Sequence, residues 1–215
     1  MVRTIQLAAL LAMAAGLARP AVVDRIAVTI GKQVIAESDI LRSLRASAFL
    51  DQKPVDLSPD SRRKAAERLV DQTLILREAA ESRIVLPGEE SVAGLLDDAR
   101  KQYGSREQYL AALKQYQLTE SDLIAHVLDG YRALRFTDLR FRPEILVSED
   151  ELREFYQLLA AGWRRAEGAR VPTFEESRAD VEKLLVEQRV MQALDNWLSS
   201  TRTQLGVSYR DRVFE

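Results

Sequence analysis

Between residues 174 and 205 the chain contains neither proline nor glycine, and Gly206 follows directly. Such a run reads as one long helix, closed by a glycine in the preferred terminal position. At 1.5 Å per residue it spans roughly 48 Å. Its apolar residues, Phe174, Val181, Leu184, Leu185, Met191, Leu194, Leu198 and Leu205, recur near the 3.6-residue period. A stripe of that length does not stand alone in water. It needs apolar helices to cover it, and those lie earlier in the chain, so head and tail are expected to complete one domain.

Four capping boxes support an α-rich reading. Ser105 precedes Gln108, Thr119 precedes Asp122, Ser148 precedes Glu151 and Thr173 precedes Glu176, each opening a segment with helical apolar spacing. The helix after Thr119 is expected to run to about Phe141 and stop at Pro143, because proline removes a donor and restricts the residue before it. Ser58 with Pro59 opens another helix, carrying Leu69, Val70, Leu74, Ile75 and Leu76. A helix over 89–103 is expected to end at Gly104, and Ser38 to cap a helix through Ile40, Leu41 and Leu44.

The one β signal lies at 24–37. Gly31-Lys32 suits a two-residue type II′ turn, and the pairing it sets places Val28 opposite Ile35. Ile26, Val28, Ile30 and Ile35 are then expected on one face. An isolated hairpin is marginal in water, so it needs helices or another strand. The segment at 207–213, VSYRDRV, is a candidate third strand.

Composition narrows the function classes. The chain has 215 residues, 31 Lys and Arg against 33 Asp and Glu, and no cysteine. A near-balanced charge gives no global field to draw in nucleic acid or an anionic membrane. Without cysteine there is no disulfide framework, thiolate zinc site or cysteine nucleophile. At the N-terminus Arg3 precedes an apolar run over 5–17, with small residues around Gly16 and Ala18. Residues 1–18 therefore read as a secretory signal peptide, the run being shorter than the roughly 20 residues a spanning helix needs. Retention as a membrane anchor, or burial as a first helix, are the alternatives. Export leads to the periplasm or the cell exterior.

Several blocks, in order, resemble the SurA-like family of periplasmic chaperones. Ile35-Ala36-Glu37-Ser38-Asp39 is similar to that family's hairpin exit, and the run from Glu67 through Leu76 to its central helix. Arg142-Pro143-Glu144-Ile145-Leu146-Val147-Ser148, with Phe155 and Tyr156 after it, resembles the segment leading to the isomerase domain. Pro172 through Trp197-Leu198 resembles the C-terminal helix. The resemblance implies a mainly α fold: a helical SurA-type core with a small β-hairpin or sheet joining the N- and C-termini. It assigns 22–157 to the N-terminal chaperone helices, 158–171 to a linker where the isomerase domain commonly sits, and 172–215 to the completing helix and strand. It implies a chaperone for unfolded polypeptides, outer-membrane protein precursors in particular. Isomerase activity does not carry over: the linker is too short for a domain, and the chain has one histidine.

No residue set reads as catalytic, cofactor-binding or metal-ligating. His126 has no histidine partner and reads as structural. Glu89-Glu90 and Glu149-Asp150-Glu151 suit first helical turns, while Asp97-Asp98 reads as a solvated face. The arginine-aromatic segment 131–142 reads as a solvated edge beside buried Leu134 and Phe136, not as a nucleic-acid site. The aromatics suggest a peptide-binding groove, because aromatic side chains offer large apolar area at low entropy cost. Tyr109, Leu113 and Tyr116 share one helical face, and Phe136, Phe155 and Tyr156 join them as candidate peptide-binding residues. Core packing is the plainer alternative for each. Trp163, in the expected linker, either docks on the body or meets a partner. The expected protein is an exported, ATP-independent chaperone, not an enzyme, without cofactor, metal or nucleic acid. The alternatives are an envelope scaffolding module, for which a homodimer is the expected form, or a membrane-tethered helper of a separate isomerase.

Overall fold

A computed structural model describes residues 24–163 and 171–215. The expected signal peptide at 1–18 lies outside the described residues, as do 164–170 of the expected linker. The chain opens with β1 (Ile26–Ile30) and β2 (Gln33–Ala36). Seven α-helices follow among the described residues: α1 (Glu37–Leu50), α2 (Pro59–Glu81), α3 (Ala93–Lys101), α4 (Arg106–Gln115), α5 (Glu120–Phe141), α6 (Glu149–Trp163) and α7 (Phe174–Leu205). A two-residue strand, β3 (Ser208–Tyr209), comes last. The fold is mainly helical with one small antiparallel sheet of order β2-β1-β3.

The sheet joins the two ends of the described chain. Val28 pairs with Ile35 across the hairpin and with Tyr209 on the other side. Gly31 takes φ +56 while Lys32 does not share the positive sign, the φ pattern a type II′ turn needs. Ile26 departs from expectation. The register shifts between Ile26 and Val28, so Ala27 is buried and Ile26 faces solvent.

Local chemistry sets the helix limits. Thr119, Ser148 and Thr173 each accept from the amide three residues on, and the acid there accepts from the capping residue's own amide. Ser105 accepts from Gln108 N–H at 3.2 Å. The Gln108 carboxamide lies over Gly104, whose φ of +77 a side chain would strain. α5 ends before Pro143, and α7 ends at Gly206 with φ +63. Two limits differ from expectation. α1 starts two residues early, with Ala36 as cap: Asp39 accepts from Ala36 N–H, and Ser38 instead donates to Asp24. The 89–103 segment divides into a 3₁₀ turn, Glu89–Val92, and α3.

Three apolar clusters hold the molecule. The central one gathers Val28 and Ile30 of β1, Ile40 of α1, Val70 and Leu74 of α2, Phe136 of α5, and Val190, Leu194 and Leu198 of α7, with Val213 and Phe214 after β3. A second surrounds Phe49 at the end of α1, under α3, α4 and the start of α5. The third is small: Leu152 of α6 against Phe174, Val181 and Leu185 of α7. α7 thus changes partner midway. Its first half packs on α6 and its second half on the central core. The buried set shifts accordingly. Val190 is buried, while Leu184 and Met191, expected on the covered stripe, are 45% and 52% exposed.

Candidate functional site

α6 and the first half of α7 form an arm. α6 continues to Trp163, so residues 158–163, expected as linker, are helical. Ser148 caps α6, and its amide holds the Glu151 carboxyl below the usual carboxylate range. Tyr156 braces the arm from within. Its hydroxyl donates to the Pro172 carbonyl at 2.8 Å, and its ring meets Phe174 edge-on with centroids 5.5 Å apart. Trp163 lies against the same ring at 6.3 Å, so its indole docks on the body of the arm. Arg153 sits 4.4 Å over Phe174. Two ion pairs cross between the helices, Arg178–Glu149 at 3.0 Å and Arg189–Glu151 at 3.1 Å.

The arm's small cluster leaves apolar surface uncovered. Beside the α6–α7 contact runs an open groove of about 300 Å³. Phe155, Leu158 and Leu185 form its apolar part, and Glu151, Glu154, Gln188, Arg189 and Gln192 supply polar edges. Leu158 is 72% exposed and stands beside the other apolar side chains of the groove. The rim carries Glu151 and Glu154 against one base, Arg189, which pairs with Glu151 at 3.1 Å, so its balance is slightly acidic. Chemically the arrangement can seat apolar side chains between charged and amide edges.

The six candidate peptide-binding residues do not come together. Tyr109 and Leu113 are each 3% exposed in the second cluster. Tyr116 is half-buried beside them, and Tyr103, Tyr109 and Tyr116 pack round Phe49 at centroid distances of 4.7, 5.8 and 5.6 Å. Their hydroxyls are committed, to Phe49 O at 2.6 Å, Glu120 Oε1 at 3.4 Å and Lys53 O at 2.9 Å respectively. Burial pushes the Tyr103 hydroxyl up to about 12. Phe136 is wholly buried in the central core. Leu113 and Phe136 therefore present no surface to a bound chain, Tyr109 shows only an edge to a hollow beside Arg100 and Leu110, and Tyr156 is a strut. Phe155 alone of the six lines the arm's groove. Leu158 and Leu185 were missed as site residues. The signal lay in the sequence, as Phe155 and Leu158 stand three apart on one helical face.

The remaining polar readings also find places. Asp97 and Asp98 pair with Arg100 and Lys101 at 2.7 and 2.9 Å. Leu134, expected to be buried, is exposed, whereas Arg132 reaches in to donate to Pro87 O at 2.9 Å. Among the described residues no group of three or more His, Asp or Glu is placed to hold a metal ion, and no helix is long and apolar enough to cross a membrane. No protein-family model and no curated protein matches the chain.

Proposed function

We propose that this protein is an exported, ATP-independent chaperone of the SurA-like kind, which holds unfolded outer-membrane protein precursors without prolyl isomerase activity. One observation carries the reading: the α6–α7 groove, with Leu158 left in solvent between Phe155 and Leu185. The head-to-tail closure through β1 and β3 supports it, since it matches what the resemblance implies. The apolar run after Arg3 supports export.

The mechanism is reversible capture. A Leu or Phe of an unfolded chain seated in the groove gains about 1.5–3 kcal/mol before ordering costs, so a few such contacts bind and release readily. The charged rim keeps the complex in solution. No bond is made or broken. Light scattering of an outer-membrane protein diluted from urea tests this: wild-type protein suppresses aggregation, and Leu158→Ser suppresses it less while melting like wild type. Undiminished aggregation with wild-type protein refutes the reading.

A scaffolding role is the second reading, favoured by the same uncovered leucine and by exposed Leu184 and Met191 on α7. A homodimer burying the arm would support it, and native mass separates the two.

A further inference from the structure

Midway along its length α7 presents three apolar faces. Leu185 faces α6, and Val190 and Leu194 face the central core. Leu184 and Met191 face neither. They stand two turns apart on a third side of the helix, about 100° round from Leu185, and are 45% and 52% exposed. Gln188 lies between them, also in solvent.

Two charges of opposite sign flank this strip on one side. Lys183 and Glu187 are one turn apart, and neither makes an ion pair or hydrogen bond among the described residues. Their spacing does not forbid one. A base followed four residues later by an acid closes at 2.7 Å in Arg77–Glu81, at 3.2 Å in Arg63–Glu67, and at 3.3 Å in Arg178–Glu182 of α7 itself. An apolar line with charged flanks is the make-up of a seam between two helices. In an antiparallel pair of identical helices about a two-fold axis, each flank faces its own copy. Lys183 then meets Glu187 of the second copy, Glu187 meets its Lys183, and Leu184 meets its Met191. The strip is therefore complementary to itself in charge. A parallel pair would turn Lys183 and Glu187 toward the opposite flank, where Gln188 and Gln192 carry no charge.

We propose that this strip is a self-association surface, on which two copies of the protein join through antiparallel α7 helices, Leu184 against Met191 and Lys183 paired with Glu187 in both directions. Helices that cross at about −50° part beyond their central turns, which keeps Asp180 and Asp195, further out on α7, in water. Four half-exposed apolar side chains make a small contact, so the dimer is weak and dissociates on dilution. It differs from a dimer that buries the arm, because Leu158 lies on α6 and stays in solvent. Capture of a chain on the arm neither requires this dimer nor falls with it.

Sedimentation velocity from low micromolar to submillimolar protein tests this. Wild type is expected to pass from monomer to dimer as concentration rises. Lys183→Glu and Glu187→Lys each set like charges across the seam and are expected to weaken the dimer about tenfold or more. An equimolar mixture of these two variants is expected to regain it, because each copy then supplies the charge the other lacks. Leu184→Gln, at a position already in solvent, is expected to weaken the dimer likewise, and Leu158→Ser to leave it unchanged. All four variants are expected to melt like wild type in circular dichroism. Monomer at every concentration, a dimer indifferent to both charge changes, or a mixture no more dimeric than its components overturns the proposal. So does a dimer lost with Leu158→Ser, which would place the arm inside the interface. If wild type stays monomeric yet suppresses aggregation, the dimer is refuted and the chaperone reading stands. If the dimer behaves as expected and aggregation is not suppressed, the chaperone reading falls by itself.

Discussion

Val28 of β1 faces Tyr209 of β3, so the strand that opens the described chain is closed by one near its end. Arg63 of α2 stacks 3.9 Å over the Tyr209 ring, and Phe214 lies 6.3 Å from it. The tail is therefore a structural part and not an appendage. Truncation after Leu205 strips cover from Val28 and removes buried Val213 and Phe214. It is expected to destabilise by at least about 3–5 kcal/mol, the range for losing one large core side chain. Removing 174–215 also takes Val190, Leu194 and Leu198 from the core, and the remaining helices are expected to lose their cooperative melt in circular dichroism. A sharp, unshifted melt would contradict the interlocked core.

Phe49 is the hub of the second cluster. Replacement by alanine removes the ring against which three tyrosines pack, and is expected to cost about 3–5 kcal/mol. Near-ultraviolet circular dichroism, which reports fixed tyrosines, should fall with it. A loss below about 1 kcal/mol would mean the cluster is not packed as described.

The His126 ring is held below the ordinary histidine value by burial, with Arg68 of α2 adding to the effect. Ser47 of α1 faces it, and Asp122 and Asp129 line the same hollow. Unfolding releases the ring to a value near 6.5, so the unfolded chain binds the proton more readily. Stability is then complete above about pH 7.5 and falls as pH drops through about 6.5 toward the folded value. Urea midpoints are expected to fall across this window in wild type, and to change less in His126→Gln. The same slope in both would contradict the assignment.

Thr119 closes a reciprocal box with Asp122, at 3.1 and 2.8 Å. Thr119→Ala is expected to cost about 1 kcal/mol in urea denaturation. An unchanged midpoint would mean that Asp122, also paired with Arg42 at 3.0 Å, anchors the helix start alone.

The helix limits were legible because their causes are local. A Ser or Thr with an acid three residues on, Pro143, and Gly206 each act within one turn, and α5 and α7 begin and end where these stand. The hairpin register followed from Gly31-Lys32 in the same way. The covered face of α7 was legible in part: Phe174, Val181, Leu185, Leu194 and Leu198 are buried as the period implies, but periodicity assumes one partner along the helix. Here the partner changes from α6 to the central core, which buries Val190 and exposes Leu184 and Met191. The candidate site was legible only at Phe155. Aromatic spacing does not distinguish a groove from a core, and Tyr109, Leu113 and Phe136 went to cores. The groove itself depends on how α6 folds against α7, which no local signal carries.

The most direct test of the account places a photoreactive side chain at Leu158, and another at exposed Lys64 on α2 as control, then adds an unfolded outer-membrane protein before irradiation. The account expects strong adducts from Leu158 and few from Lys64. Adducts at Lys64 equal to those at Leu158, or none at Leu158, would contradict capture of unfolded chains on the arm.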